Sequence, residues 1–283
     1  AVVNLCGLLK GNFQAVHVTG ARHVAQAARD AGARALVHVS AIGADPEAPA
    51  DYGRTKAEGE AAIRAIFPAA TIIRPSLVFG PEDQITNRLA GLARLPFLPV
   101  IAAQRRFQPV YVRDLAQAIA KAALEPDRYG GKTYEIGGPH AMSMRELHAA
   151  VLEATGRKPE LVDMPDFMAA MLARFGWLPG APMSWDQWLM MEKDNVASGA
   201  LPGFEAFGIR HDASPVAPVV TLSAGVASAI PEAGLLPASL VSRADEALYE
   251  AKAAGRNRAV RTANVTTHSG RGGEGAPATR RLW

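Results

Sequence analysis

The 283-residue sequence contains a single cysteine, Cys6. One thiol can form neither an internal disulfide nor a cysteine-built zinc site, and its place in an apolar run suits a buried thiol in a reducing compartment. Charge of one sign is also scarce, with 30 Lys and Arg against 27 Asp and Glu and a net charge of +3. That balance lacks the dense basic face that nucleic-acid binding demands. No stretch has the form of a signal peptide or a membrane-spanning helix, because residues such as Pro218, Thr221 and Ser223 break the apolar runs. What is present, 49% apolar and 20% charged residues, belongs to a folded globular chain.

A phosphate-cradling glycine loop is missing too. Gly270, Gly272 and Gly275 spell G-x-G-x-x-G, but that pattern carries meaning only between a strand and a helix. Here it lies in a Gly, Ser, Thr and Arg stretch, 263–283, that reads as a disordered tail. Gly131-Lys-Thr133 fails as a P-loop because Pro126 stands where the first glycine belongs.

From residue 1 to about 140, short apolar runs alternate with helical patterns, the mark of βαβ units and a parallel sheet. Strands are expected at 1–5, 35–39, 71–73 (broken by Pro75) and 132–136. Helices are expected over 13–31 with Val16, Val18, Val24, Ala27 and Ala28 facing inward, over 52–66, and over 114–124 with Asp114 as its cap. Because Ala1 to Leu5 is already a buried-strand pattern, the chain is expected to begin within a domain. Residues 141–208 turn helical and rich in Met and Trp. Ser143-Met-Arg-Glu146 forms a capping-box pattern, and further helices are expected over 167–175 and 184–193. The Met and Trp residues read as core, with a partner-facing or membrane-surface helix as the alternative. His148 and His211 have no other ligand-type residues near them in sequence and read as structural. Past residue 209, a strand is expected over 219–227 and a helix from Ser239 to Gly255.

The sharpest chemical pattern is Tyr52-Gly-Arg-Thr-Lys56. Positions i and i+4 share a helix face, so an ammonium beside the phenol should lower its pKa and make it an acid or base near neutrality. A surface Tyr–Lys pair is the plain alternative. Context sharpens the pattern, since it follows a strand ending at Ser40 and precedes Arg74-Pro-Ser-Leu-Val-Phe-Gly-Pro81.

Together with Val110-Tyr-Val-Arg-Asp114, this ordered series resembles the extended short-chain dehydrogenases. Gly43-Ala-Asp45, Arg54-Thr-Lys-Ala-Glu-Gly-Glu60, Gly80-Pro-Glu-Asp83, Phe107-Gln-Pro-Val-Tyr111 and Asp194-Asn195 narrow the resemblance to one atypical branch. That branch holds the dehydrogenase-like accessory subunit of respiratory complex I and its bacterial relatives. The resemblance covers residues 1 to about 208. It implies an α/β fold, with a partial NAD(P)-binding Rossmann-like parallel sheet over 1–140 and a small helical substrate region over 141–208. It further implies NAD or NADP as cofactor, with the family's glycine-rich turn falling upstream of residue 1. Carried over by position, Tyr52, Lys56 and Ser40 are the catalytic residues. Asn4, Leu5, Gly7, Ser40, Tyr52, Lys56, Pro75, Ser76 and Leu77 line the nicotinamide side, and no metal is involved. Two departures stand out: Ala41 competes with Ser40 for the family serine position, and His17 replaces a common asparagine.

A second resemblance begins near residue 209. Val220-Thr-Leu-Ser-Ala-Gly-Val-Ala227 and Arg243-Ala-Asp-Glu-Ala-Leu-Tyr-Glu-Ala-Lys252-x-x-Gly-Arg256-Asn-Arg258 are similar to the end of a GGDEF, or diguanylate cyclase, domain. A strand–helix GGDEF fragment over 209–262 is thus expected, in which Lys252 and Arg256 match residues that contact GTP phosphates. The GGDEF turn and the metal-binding acids are absent from the sequence, which excludes the two-metal chemistry of such a cyclase. Three readings stay open: a non-catalytic cofactor-binding accessory or assembly factor of the complex I type, an NAD(P)H-dependent oxidoreductase or epimerase using Tyr52 and Lys56, and an inactive fusion of fragments. The first implies complex I or the membrane surface as partner and a cytoplasmic location at the inner membrane face, without nucleic acid; the small-molecule substrate stays open.

Overall fold

The structure is a computed structural model, and it describes residues 1–178, 181, 183–209, 223–226 and 258–261. The chain divides into two compact units, Ala1–Pro215 and Val216–Trp283. In the first, four parallel strands form a sheet in the order β1-β2-β3-β8, namely β1 Val2–Asn4, β2 Leu36–Val39, β3 Thr71–Pro75 and β8 Thr133–Ile136. Between them come β4 Val78–Phe79, β5 Phe97–Val100, β6 Arg106–Phe107 and β7 Val110–Tyr111.

Helices cover both faces of this sheet, which is why adjacent residues of β2 and β3, Leu36-Val37 and Ile72-Ile73, are apolar and buried alike. Leu36 and Ile72 point to one side, where α1 Ala21–Asp30 and α2 Asp51–Ile66 contribute Ala21, Ala25, Ala28 and Ile63. Their neighbours Val37 and Ile73 point to the other side, onto Leu115, Ala118 and Ala122 of α4 Val112–Leu124. The two-residue period of a strand thus splits each pair between two cores.

α1 is preceded by a π-helical segment, Gln14–Gly20. Its wider turn shifts the face of the following helix, so the inward residues are Ala21, Ala25 and Ala28, while Ala27 turns to solvent. Asp114 lies in the first turn of α4, whose N-cap is Tyr111. β3 continues through Pro75, because a proline at the strand end need only give its carbonyl, here to Ile42 N at 3.0 Å.

The smaller lobe is not a simple C-terminal block. α3 Gln84–Leu92 and β5 pack with later segments: β5 pairs in parallel with β10 Glu160–Asp163, and β6 pairs antiparallel with β9 Met142–Ser143. Leu89, Ala93, Leu98 and Leu152 close this small core. Among the helices here, α6 Met144–Thr155 starts in the expected Ser143–Glu146 capping box and ends at left-handed Gly156. α7 Asp166–Arg174 buries its alanines Ala169 and Ala173, and α8 Trp185–Met191 opens in a Ser184–Gln187 capping box. The short α5 Pro126–Tyr129 leads into Gly131, which turns with positive φ into β8.

In the second unit, β11 Ser223–Val226 pairs in parallel with β12 Arg258–Arg261. The expected helix from Ser239, together with Lys252, Arg256, His211 and the 263–283 tail, lies outside the described residues.

Candidate functional site

The site forms where β1 and β2 end against α2. Asn4 and His38 are register partners on adjacent parallel strands, and their buried side chains meet, Asn4 Nδ2 to His38 Nδ1 at 3.1 Å. Asn4 Oδ1 accepts from Cys6 N at 3.1 Å, which turns the chain out of β1 into the loop 5–12. Leu5 and Cys6 are exposed on that loop.

α2 begins at Asp51 without a side-chain cap of its own. Its cap comes from α8: the Asp186 carboxylate accepts from Asp51 N at 2.5 Å and Tyr52 N at 3.3 Å. An acidic group at a helix N-terminus also opposes the helix dipole. The helix thus presents Tyr52 and Lys56 on one face, with Lys56 Nζ 5.9 Å from the Tyr52 ring centre.

Lys56 is buried, and Nζ donates to Val39 O at 3.2 Å. Burial pushes its pKa down to about 8, against the pull of the Glu60 carboxylate one turn on. A Cβ on Gly7 would stand 3.3 Å from Lys56 Nζ, a tight approach that places the loop close over the ammonium. The expected phenolate does not follow from this arrangement: burial drives Tyr52 up to about 12, and loss of hydration outweighs an ammonium beyond the ring. Ser40 is buried, its hydroxyl has no hydrogen-bond partner among the described residues, and neither has Nε2 of buried His38. Burial, followed by the charge of Lys56, lowers His38 to about 3.

Gly7 and Tyr52 therefore lie near the Lys56 ammonium, which bonds to the residue before Ser40, and Asn4 reaches the neighbouring His38, while the later expected residues do other work. Ser76 Oγ lies 2.7 Å from both Asn195 O and Asn195 Oδ1 and accepts from Gln108 N at 3.2 Å, so it pins the 195–198 segment to the sheet. Leu77 packs into the core of the smaller lobe, against Val100, Phe107 and Leu147. Pro75 contributes its carbonyl to Ile42. His148 is structural, its Nδ1 2.8 Å from Met144 O.

Sequence reasoning missed several residues that hold the site. Asp186 lies 135 positions from the amide it caps. Glu60 and Arg74 form a two-point ion pair, Nε to Oε1 at 2.9 Å and Nη2 to Oε2 at 2.7 Å, that locks α2 to β3. An open cavity of about 520 Å³ at the head of α2 is lined by Lys10, Asp51, Arg174, Trp177, Trp185 and Leu189, and none of the expected site residues lines it. Among the described residues no group of His, Cys, Asp and Glu could hold a metal ion.

The family profile of the RmlD substrate binding domain matches residues 9–170, more than half of the chain and every element that builds this site except β1 and α8. The chain belongs to that family. A second profile, the diguanylate cyclase GGDEF domain, matches residues 191–258. The part of that match nearest the sheet packs with the first unit, since Phe204 and Phe207 lie in the core beside Tyr129 and Tyr134. Among curated relatives, the mitochondrial NADH dehydrogenase (ubiquinone) 1 alpha subcomplex subunit 9 of Rattus norvegicus is 33% identical over 217 residues, 74% of this chain and 57% of the relative. Ceramide reductase of Caulobacter vibrioides is 32% identical over 169 residues, 58% of this chain and 53% of the relative. The chain therefore spans little more than half the length of these relatives. Of solved structures, dTDP-4-dehydrorhamnose reductase from Bacillus anthracis, in complex with NADP, is similar with a TM-score of 0.50 at 23% identity, over 66% of this chain and 77% of that one. That likeness establishes the Rossmann-like fold. No helix among the described residues is long and apolar enough to cross a membrane.

Proposed function

We propose that this family member holds the nicotinamide and ribose end of NAD(H) or NADP(H) and acts by binding rather than turnover, as an accessory or assembly factor of a respiratory NADH dehydrogenase. The observation that carries the reading is the surroundings of Lys56. A buried ammonium lies close to the Gly7 backbone and 5.9 Å from the Tyr52 ring centre, and it donates to the carbonyl of Val39, next in the chain to Ser40 with its unpartnered hydroxyl. Those donors suit ribose hydroxyls and a carboxamide, which are neutral, strongly hydrogen-bonding groups. A phenol pushed up to about 12 is a poor proton source near neutrality, which favours holding over catalysis. The accessory role draws on the 33% identity to the rat subunit, and the partner would be an assembly of that kind or the membrane beside it.

Titration with NADH and NADPH tests this reading, together with alkylation of exposed Cys6, which stands at the mouth of the site. Binding with protection of Cys6 is expected; a folded sample that binds neither cofactor would overturn the proposal.

A second reading, carbonyl reduction, is favoured by Tyr52 and Lys56 sharing one helix face, with Lys56 Nζ bonded to Val39 O beside Ser40. A bound reduced nicotinamide would supply the hydride. Ser40 would hold the substrate oxygen and Tyr52 would give it a proton, with Lys56 positioned to stabilise the phenolate left behind. Replacement Tyr52→Phe should then abolish NAD(P)H-dependent reduction without loss of fold. An unchanged rate excludes this chemistry.

A further inference from the structure

His17 is fully enclosed and makes more directed contacts than its neighbours, yet no role above uses it. Its Nε2 faces Leu8 N at 3.0 Å, and a backbone amide can only donate, so Nε2 must accept. Its Nδ1 lies 2.9 Å from Thr55 Oγ1, whose proton is directed to Asp51 O at 2.8 Å. The ring proton is therefore on Nδ1, and Thr55 accepts it. Phe13 stacks on the ring at 5.3 Å and 16°, and Tyr52 meets it edge-on at 5.4 Å and 89°.

The backbone enforces this position as well. A Cβ on Gly59 would come within 2.1 Å of His17 O, so the π-helical segment and α2 touch main chain to main chain. The imidazole thus joins three pieces: the loop after β1, the π-helical segment and the turn of α2 that carries Tyr52. Within the loop, Gly7 is held between Cys6, bonded to Asn4, and Leu8, bonded to His17.

We propose that His17 is a positioning residue that latches the loop 5–12 onto α2 and so sets Gly7 against Lys56 as one wall of the nicotinamide-side site. The inference rests on the cofactor-binding reading for its purpose, whereas the latch itself is a property of the free protein. A second proton on the ring would set N–H against the Leu8 N–H and break the latch. The groups facing the ring that carry or accept charge are Lys56, His38 and Tyr52. The Lys56 ammonium disfavours that protonation, and burial disfavours it more.

Two variants separate hydrogen bonding from packing. His17→Phe keeps a ring against Phe13 and Tyr52 but offers no acceptor; His17→Gln restores a carbonyl at the reach of Nε2. Hydrogen exchange at the Leu8 amide reads the latch directly, with Val37 and Ile73 amides as controls for the intact sheet. In His17→Phe the Leu8 amide should exchange about tenfold faster, as expected for one lost hydrogen bond, with the sheet amides unchanged. His17→Gln should recover most of that protection, and NADH titration of the same samples should show His17→Phe binding about tenfold more weakly. Unchanged Leu8 exchange in His17→Phe overturns the latch. Faster exchange with unaltered NADH affinity overturns the positioning role. If the parent protein binds no NADH, the cofactor reading falls and the positioning role with it, while the exchange data still decide whether the latch exists.

Discussion

Glu60 is where stability and the chemistry of Lys56 meet. Its carboxylate is buried at 6% exposure and engages the Arg74 guanidinium at two points, 2.9 and 2.7 Å. It also raises the pKa of Lys56, one helical turn away, against the effect of burial. Replacement Glu60→Gln keeps size and one acceptor but removes the charge. Breaking one side of a buried pair costs ~3–5 kcal/mol, because the remaining ion stays desolvated without its partner. The Arg74 side chain retains 22% exposure and the carboxylates of Glu135 and Asp45 lie nearby. A loss of about 2–3 kcal/mol is therefore the expected size, against a total stability of ~5–15 kcal/mol. With an m-value of ~2 kcal/mol/M, the urea midpoint should fall by roughly 1 M or slightly more. The same replacement should drop Lys56 further below about 8, which pH-dependent NADH titration would register as a lower midpoint. Glu60→Leu combined with Arg74→Met should recover stability, since an apolar pair owes nothing to water. A urea midpoint within experimental error of the parent would refute the reasoning and mean that Arg74 is adequately solvated without its partner.

Three further outcomes are expected. Gly59→Ala should destabilise by about 3 kcal/mol in thermal or urea unfolding, because its Cβ would fall 2.1 Å from a main-chain oxygen that cannot swing aside. Asp186→Ala should cost about 1 kcal/mol, the usual worth of an N-cap, and helix-resolved hydrogen exchange should place the loss in the first turn of α2. His17 and His38 stay neutral down to about 4 and about 3, below the ordinary value of 6.5, so the unfolded chain takes up protons first as pH falls. Stability should hold above pH 6.5 and decline between there and pH 4 by up to ~1.4 kcal/mol per pH unit for each histidine. His38→Asn should flatten that slope, and an equal slope in the variant would refute the assignment.

Much of this molecule was legible in one dimension. Leu36-Val-His-Val39 and Thr71-Ile-Ile73 were legible as strands of a parallel sheet because short apolar runs alternate with helical patterns around them. The capping box at Ser143 was legible because donor and acceptor lie three residues apart, whereas the one at Ser184 was read only as the start of a helix. The mistakes have physical causes as well. The inner face of the helix after Phe13 was misjudged at Ala27 because a π-helical segment breaks the 3.6-residue period on which such patterns rest. The linear division at residue 140 missed that 84–107 packs with 142–163, since pairing between distant short strands leaves no local trace.

The sequence alone determined that Tyr52 and Lys56 share a helix face, because four residues are one turn, and that β1, β2, β3 and β8 would be parallel neighbours in an α/β sheet. Tertiary structure alone decided what that pair is chemically. Burial, not proximity, sets both groups, holding the phenol up to about 12 and the ammonium down to about 8. The partners that fix them, His17 through Thr55, Asp186 at the head of α2 and Glu60 against Arg74, come from remote segments. Hydration and long-range hydrogen bonds depend on what surrounds a residue in space, and a sequence orders its residues only along the chain.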